Sequence, residues 1–217
     1  MGKYQAVIFD FDGTLVDSGP GIVLTLELML EEMGHAPMPE AQLRACVGPP
    51  IHKFFPELFG FEGEELERAV GVYRRIFGKK AVPLLCLYPG IKEMLKALKA
   101  AGIPTGVATC KVQSTCEEQA KMLGIYEDLD YISGADPEKG ILEKEDILEA
   151  LLKRTGFEAA KCVMVGDRMY DMIGAASVGM PAIGVLYGFG SHEELSSYAP
   201  LHLPETVEAL RELLLAE

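Results

Sequence analysis

Four short stretches of the chain are apolar almost throughout, with no alternation between apolar and polar positions. They span residues 6–9, 105–108, 162–165 and 182–185, and a weaker stretch of the same kind spans residues 130–133. Continuous apolar character is typical of parallel strands that helices cover on both faces. The pattern therefore predicts an open, parallel β-sheet buried between layers of helices.

Helical periodicity fills the segments between these stretches. After Pro89, which stands at a first helical position, Ile91, Leu95 and Leu98 recur at helical spacing, and Gly102 can end the helix. Three more helices are predicted at residues 113–123, 142–155 and about 204–215. Strands that alternate with helices indicate an α/β fold, a Rossmann-like open parallel sheet with right-handed crossovers.

The stretch from about residue 16 to residue 82 differs from the rest, because no strand-like run occurs in it. It contains two stripes of apolar residues at helical spacing, separated by a turn-rich segment. We expect an all-helical cap domain at residues 16–82, inserted into a core made of residues 1–15 and 83–217. The alternative is that these helices simply cover the sheet.

Composition and charge narrow the class of protein. Apolar residues make up 49% of the 217 residues, enough to build a core without disulfide or metal staples. The net charge of −13 disfavours nucleic acids and anionic lipids, although a local cation still admits a small anionic substrate. Five cysteines without a Cys-x-x-Cys pair indicate free thiols in a reducing compartment. No apolar run reaches membrane-spanning length, so we expect a soluble cytoplasmic monomer or weak homodimer without nucleic-acid or membrane partners.

Two acidic motifs each follow a predicted strand. Asp10 and Asp12 follow the first strand, and Asp167 and Asp171 follow the strand at residues 162–165. Ligands of open α/β sheets bind beyond the carboxyl ends of the strands, and oxygen-only ligands suit Mg²⁺. Taken singly, the first motif could be a solvated turn and the second a helix N-cap. Together they could supply three carboxylates to one metal ion.

Two further elements are weaker. Thr109 lies at the end of a predicted strand, where its hydroxyl could hold a phosphoryl oxygen or cap the following helix. A lysine near residue 140, either Lys139 or Lys144, could neutralise an aspartyl nucleophile and its phosphate. Most lysines are merely solvated, so neither lysine stands out without context.

The order of these motifs resembles that of the haloacid dehalogenase superfamily of phosphatases, above all the branch that contains phosphoglycolate phosphatases. The order is Asp-x-Asp-Gly-Thr, then Thr, then Lys, then Gly-Asp-x-x-x-Asp. Residues 15–18, 48–50 and 88–90 agree as well, so the resemblance covers nearly the whole chain. It implies the same core fold and a helical cap over the site.

The resemblance also implies catalytic roles. Asp10 would be the nucleophile that forms an aspartyl-phosphate, and Asp12 would be the general acid for the leaving alcohol and then the general base for water. Thr109 would bind the transferring phosphoryl group, and Lys144 would pair with Asp10 and that group. Lys139 remains a second candidate for this lysine.

A magnesium site follows from the same resemblance. Asp10, the backbone carbonyl of Asp12 and Asp167 would hold Mg²⁺. Asp171 would orient a metal-bound water or another group of the site.

Substrate contacts are assigned more broadly to the core motifs and to the cap. The candidates are Gly13, Thr14, Thr109, Cys110, Lys144, Arg44 and His52. Lys53 is a further cap candidate, since it also lies near the Gly-Pro-Pro segment. Cys110 departs from the family pattern, in which Asn or Ser often follows the Thr, and we interpret it as a small buried side chain.

These expectations combine into a Mg²⁺-dependent phosphomonoesterase for a small, phosphoglycolate-like phosphorylated metabolite. Asp12 favours release of an alcohol, because dehalogenases of the superfamily lack an Asp at that place. The alternatives within the superfamily are a 5′-nucleotidase and a β-phosphoglucomutase-like phosphomutase. An alternative of another class is a signalling module that accepts phosphate without turnover.

Overall fold

A computed structural model describes residues 4–44, 46–48 and 51–216. Its strands are β1 (Ala6–Phe9), β2 (Val16–Asp17), β3 (Cys86–Leu87), β4 (Thr105–Val112), β5 (Tyr131–Ala135), β6 (Cys162–Gly166) and β7 (Ala182–Gly184). Five of them form one sheet in the order β5-β4-β1-β6-β7, and every neighbouring pair is parallel. The predicted open parallel sheet is confirmed, and all five apolar stretches contribute a strand to it.

Strand β1 lies at the centre of this sheet. Phe9, its last residue, lies beside Val107 of β4 on one side and Val165 of β6 on the other. The side chains of β1 are fully buried because helices pack on both faces, as the continuous apolar pattern requires. The residues that follow β1, β4 and β6 therefore emerge together at one edge of the sheet.

The helices alternate with the strands as the periodicity predicts. They are α1 (Gly19–Met33), α2 (Glu40–Arg44), α3 (Ile51–Phe54), α4 (Gly63–Ile76), α5 (Ile91–Ala100), α6 (Gln113–Leu123), α7 (Lys144–Thr155), α8 (Met169–Ser177), α9 (His192–Ser196) and α10 (Val207–Leu215). The last helix begins later than residue 204, because the Thr206 side chain caps it by accepting a hydrogen bond from the Ala209 N–H. None of the helices in the described residues is long and apolar enough to cross a bilayer.

The described residues of the predicted insert, 16–82, contain helices α1 to α4 joined by loops, with a short strand at their start. Val16 and Asp17, which the sequence analysis included in the all-helical insert, form β2 and pair antiparallel with Leu87 and Cys86 of β3. Two residues are too few to show a strand pattern in the sequence. This ribbon joins the outgoing and returning chains, whereas the bounds 16–82 for a cap domain remain a prediction.

An aromatic cluster forms the interior of the insert. Short π-helical segments, Phe55–Phe59 and Phe77–Ala81, follow α3 and α4. The cluster consists of Phe54, Phe55, Phe59, Phe61, Tyr73 and Phe77, whose ring centroids lie 4.8–6.2 Å from their neighbours. Edge-to-face contacts dominate this cluster, and such pairs add stability beyond the area they bury. The buried members of this cluster are continuous with the hydrophobic core on one face of the sheet.

Candidate active site

The carboxylate of Asp10 meets a buried lysine at the carboxyl end of β1. Asp10 Oδ1 lies 2.9 Å from Lys144 Nζ and accepts a hydrogen bond of 2.7 Å from the Phe11 N–H. Lys144 begins α7, and its Nζ also donates to the carbonyl of Ala108 at 2.8 Å. Lys139 instead pairs with Asp136 at the surface, where its side chain is 73% exposed. Of the two candidate lysines, the structure brings only Lys144 to Asp10.

Three carboxylates from two separate motifs converge at this point. One oxygen each from Asp10, Asp167 and Asp171 lies within 4.8 Å of the others, and all three side chains are buried. Asp171 Oδ1 lies 2.7 Å from Lys144 Nζ, so the lysine lies between two of the carboxylates. Adjacent parallel strands, β1 and β6, bring residues 157 positions apart in the chain to one point.

Asp167 is held by groups from both sides. Thr14 Oγ1 donates to Asp167 Oδ1 at 3.1 Å, and the Phe189 N–H donates to Oδ2 at 2.9 Å. A Cβ on Gly13, whose φ is +80°, would lie 2.2 Å from Asp167 Oδ2, and one on Gly188 would lie 2.3 Å from the Asp167 Cβ. Only glycine permits this approach, so both glycines are required for the position of the carboxylate.

Burial and mutual repulsion raise the proton affinity of these carboxylates. Burial raises the pKa of Asp10 to about 6, with the Lys144 ammonium opposing the shift. Burial also raises the pKa of Asp167 well above its ordinary range, and Asp171 and Asp10 add to the shift. Burial disfavours the Lys144 ammonium, but the charges of Asp10 and Asp171 outweigh this effect and raise its pKa.

The cluster fits a divalent cation. One ammonium group faces three buried carboxylates, and buried charge without compensation is unfavourable. All the available ligand atoms are oxygens, which are the donors that Mg²⁺ prefers. Asp10 and Asp167 would hold such an ion, and Asp171, which also accepts the Arg168 N–H at 3.1 Å, would support them.

The carboxylate of Asp12 lies outside this cluster. Asp12 Oδ1 is 2.9 Å from Nζ of Lys111, which also donates to Gln119 Oε1 at 2.6 Å. The contribution to a metal site that was predicted for Asp12 involves its backbone carbonyl, which leaves the side chain free for another role. Asp10 and Asp12 therefore face different cations, Lys144 and Lys111.

Thr109 and Cys110 lie within β4, where its pairing with β5 becomes irregular. Both line a cavity over Asp10, and Thr109 is only 2% exposed. The Thr109 hydroxyl oxygen accepts a hydrogen bond of 3.3 Å from the Lys111 N–H, at the point where the pairing of β4 with β5 shifts register. Burial raises the pKa of the Cys110 thiol to about 12. The thiol is therefore neutral and a poor nucleophile, which agrees with its interpretation as a small wall residue.

The cavity has a volume of about 940 Å³ and lies between the core and the insert. Asp10, Asp12 and Lys111 lie on its core side. On the insert side the wall consists of Gly48, Ile51, His52, Val70, Arg74, Phe77, Gly78 and Val82. This volume is at the upper end of the range of small-molecule sites.

The predicted insert contacts divide into two groups. His52 lines the cavity, and its Nε2 lies 3.0 Å from Oε1 of Glu143, the residue before Lys144. Lys53 Nζ reaches the same carboxylate at 2.6 Å. Arg44 is not among the described residues that line the cavity, because its side chain pairs with Glu40 at 2.9 Å on its own helix. The structure therefore brings His52, but not Arg44, to the cavity.

Gly13 and Thr14 also differ from their predicted use as substrate contacts. Neither is among the described residues of the cavity wall, and Thr14 is fully buried. Thr14 instead donates a hydrogen bond to Asp167, and Gly13 leaves room for the Asp167 carboxylate. Gly48 of the turn-rich segment lines the cavity, whereas Pro49 and Pro50 lie outside the described residues.

Sequence reasoning missed several residues of the site. Lys111 and Gln119 contact each other next to Asp12, Arg74 and Phe77 line the insert side, and the Phe189 N–H holds Asp167. The glycines on both sides of Phe189, in the turn that follows β7, were an available signal of close backbone approach. The other contacts join distant segments and leave no local pattern.

The sequence is similar to those of known proteins. The haloacid dehalogenase-like hydrolase family matches residues 7–185. The chain is 34% identical over 212 residues to a 5′-nucleotidase from Pseudomonas aeruginosa, which covers 98% of this chain and 96% of that protein. It is 33% identical over 202 residues to a phosphoglycolate phosphatase from Neisseria meningitidis, which covers 88% of this chain and 84% of that one.

A solved structure supports the same assignment. The crystal structure of a predicted phosphatase from Clostridium acetobutylicum is similar to this chain with a TM-score of 0.93 and 32% identity, and 99% of each chain is covered. The family match spans the first strand and both acidic motifs. The chain therefore belongs to the haloacid dehalogenase-like hydrolases and is an enzyme of their phosphatase type.

Proposed function

We propose that the chain is a Mg²⁺-dependent phosphomonoesterase that hydrolyses a small phosphorylated metabolite through an aspartyl-phosphate at Asp10. The observation that carries the proposal is the position of the Asp10 carboxylate. It lines the cavity, lies 2.9 Å from Lys144 Nζ and belongs to the cluster of three buried carboxylates. A nucleophile, its compensating cation and an acidic metal site thus occur together under a substrate-sized cavity.

In the first step an oxygen of Asp10 attacks phosphorus, and the bond from phosphorus to the leaving oxygen breaks. Asp12 gives its proton to that oxygen, so the alcohol leaves neutral and Asp12 becomes a carboxylate. Lys144 stabilises the negative charge on the phosphoryl oxygens. Thr109, on the cavity wall, would donate its hydroxyl hydrogen to one of them.

In the second step water attacks the phosphorus of the aspartyl-phosphate. Asp12 takes the proton from the water, and the bond between phosphorus and the Asp10 oxygen breaks. Inorganic phosphate leaves, and both aspartates return to their starting states. Asp12 can serve both steps because its carboxylate lies outside the cluster of three and on the cavity wall.

The acidic cluster would hold a metal ion whose positive charge complements the phosphate group of the substrate. Bound there, Mg²⁺ would offset the repulsion between Asp10 and a phosphate anion. Thr14 and the Phe189 N–H each donate a hydrogen bond to the Asp167 carboxylate. These bonds fix the orientation of a carboxylate that would be a ligand of the ion.

The size of the cavity favours a second candidate within the same reaction class, a 5′-nucleotidase. About 940 Å³ exceeds what a two-carbon leaving group needs. Apolar side chains such as Phe77, Val82 and Met122 line it and would suit a nucleoside. The relative from Pseudomonas aeruginosa, which covers 98% of this chain, carries that name.

A phosphate-release screen with and without Mg²⁺ tests the proposal. The panel contains 2-phosphoglycolate, nucleoside 5′-monophosphates and sugar phosphates, with isomer formation followed on the last group. We expect Mg²⁺-dependent release and a loss of at least about 10⁴-fold in kcat for Asp10→Asn, since removal of a nucleophile costs this much or more in other hydrolases. Full activity of Asp10→Asn would refute the nucleophile. Isomer formation without phosphate release would instead favour a phosphomutase, and one phosphorylation without turnover a signalling module.

A further inference from the structure

Lys111 is a second buried cation of the site, distinct from Lys144. Its side chain is only 10% exposed, and its Nζ contacts Asp12 Oδ1 at 2.9 Å and Gln119 Oε1 at 2.6 Å. The aromatic rings of Phe11 and Phe77 lie beside it, with centroids 5.1 Å and 5.4 Å from Nζ. A carboxylate, an amide carbonyl and two ring faces thus surround one ammonium group.

These contacts restrict Asp12 as well as Lys111. Lys111 is the single cation that contacts Asp12 among the residues described here, and it contacts Oδ1. Gln119 is 3% exposed on α6 and holds the ammonium from the other side. Because Lys111 itself has little room to move, the carboxyl group of Asp12 is held against the cavity wall with Oδ2 left for another contact.

The insert reaches this arrangement through Phe77. Phe77 lies in the π-helical segment after α4 and lines the cavity, whereas Phe11, which follows β1, is fully buried. The ammonium of Lys111 contacts both rings, so its position depends on both parts of the chain. The position of the Asp12 carboxyl group therefore depends, through Lys111, on how the insert packs over the site.

We propose that Lys111 is a positioning residue that, held by Gln119 and Phe77, orients the Asp12 carboxyl group for its proton transfers. The proposal rests on the proposed function, in which Asp12 protonates the leaving oxygen and then accepts a proton from water. Lys111 gives up no proton and forms no bond to phosphorus. Its effect is confined to steps that need Asp12.

Leaving groups of different basicity test this role. An alkoxide leaves only when it is protonated, whereas p-nitrophenolate leaves without help. The substrates are p-nitrophenyl phosphate and whichever of 2-phosphoglycolate and a nucleoside 5′-monophosphate the screen prefers, since both release a primary alcohol. We expect Lys111→Met to lower kcat/KM, which reports the steps up to departure of the leaving group, about 100-fold on the alkyl ester and less than about threefold on the aryl ester. Hydrolysis of the aspartyl-phosphate also needs Asp12 and is common to both esters, so it should slow equally on both.

Three further variants sharpen the test. Lys111→Arg keeps the cation and should restore part of the lost kcat/KM on the alkyl ester. Gln119→Met leaves the ion pair with Asp12 intact and should show a smaller loss with the same dependence on the leaving group. In an Asp12→Asn background, Lys111→Met should cost less than about threefold more, because a residue that acts through Asp12 has nothing left to position.

Several results would overturn the proposal. Equal losses of kcat/KM on the two esters would show that Lys111 does not act through the proton that Asp12 gives to the leaving group, and a raised KM with unchanged kcat would show direct substrate binding by Lys111. Fully additive losses in the double variant would show that Lys111 acts independently of Asp12. Failure of the proposed function is distinguishable, because it would appear in Asp10→Asn, which must be inactive on both esters. If Lys111→Met does not fold, Gln119→Met and Lys111→Arg carry the same comparison.

Discussion

The core and insert sides of the cavity are built differently. On the core side Asp10, Thr109 and the supporting Lys144 are each less than 7% exposed, and two or more contacts fix the charged groups. On the insert side Arg74 and His52 are exposed, and the other wall residues are mainly apolar. The proposed chemistry thus lies in a buried, densely paired cluster, and the leaving group would meet a more open surface.

Because of this difference, substitutions on the two sides should affect stability and turnover to different extents. A buried charge that loses its partner is costly, so changes on the core side should affect both stability and turnover. An exposed cation contributes little to stability and acts mainly on a ligand that carries the opposite charge. The two sides should therefore give losses of different size and kind.

The largest effect is expected from Asp167→Asn. The substitution keeps the shape of the side chain but removes one charge from the acidic cluster, so Mg²⁺ binding weakens and kcat falls by about 10³-fold or more. Without Mg²⁺ the variant should be as stable as the parent or more so, because one repulsive carboxylate is gone. Calorimetric Mg²⁺ titration and melting curves measure both effects.

Glu205→Gln is the matched control, since it makes the same chemical change at an exposed carboxylate. It should leave Mg²⁺ affinity and turnover as they are. An Asp167→Asn protein that binds Mg²⁺ as tightly as the parent would contradict the metal assignment.

The next effect is expected from Lys144→Met. Methionine replaces the aliphatic stem but leaves Asp10 and Asp171 buried without their cation, at a cost of about 3–5 kcal/mol in the free energy of unfolding. Turnover should fall as well, because the phosphoryl charge loses a stabilising group. Lys139→Met, at an exposed lysine, should leave both properties unchanged. Urea unfolding and phosphate release compare them, and equal behaviour of the two variants would break the contrast between buried and exposed lysines.

Sequence patterns predicted that Asp10 and Asp167 lie at neighbouring strand ends. Asp10 and Asp167 directly follow continuous apolar stretches, and parallel pairing of β1 with β6 necessarily brings their strand ends together. Thr109 was predicted at a strand end by the same logic, whereas β4 continues to Val112 and Thr109 lies within it. Local sequence carries this information because it depends only on strand position and the direction of pairing.

The insert side could not be predicted in the same way. Arg44 has the right charge and stands near the turn-rich segment, but Glu40 one helical turn earlier pairs with it. The same limit holds on the core side for Lys111, which contacts Asp12 across 99 positions without any local signal of such a pair. Side-chain contacts between distant segments depend on how those segments pack against each other, and the periodicity of one segment carries no information about this packing.

The pH dependence of Mg²⁺ binding should show a smaller effect. Burial raises the pKa of Asp10 from 3.8 to about 6, so the folded protein keeps this proton up to about pH 6 when no metal is bound. The contribution of Asp10 to metal-free stability is therefore present at low pH and is lost as pH rises from about 4 to about 6. Since Mg²⁺ must displace the proton, its Kd should be about tenfold weaker at pH 5 than at pH 7. Melting temperatures with and without Mg²⁺ measure this, and an equal gain at both values would contradict it.

The smallest effect is expected from Arg74→Ala, which acts on the insert side alone. Arg74 is exposed on α4 and lines the cavity. It forms no ion pair with the other described residues, so its guanidinium is available to a charged leaving group. We expect KM for 2-phosphoglycolate to rise by up to about fivefold, the value of an exposed ion pair, with kcat unchanged. For an alkyl phosphate with an uncharged leaving group, KM should not move. Arg44→Ala, whose side chain is paired with Glu40, should change neither value. If Arg74→Ala lowered kcat on both esters, the insert side would take part in the chemistry, and the contrast between the two sides of the cavity would not hold.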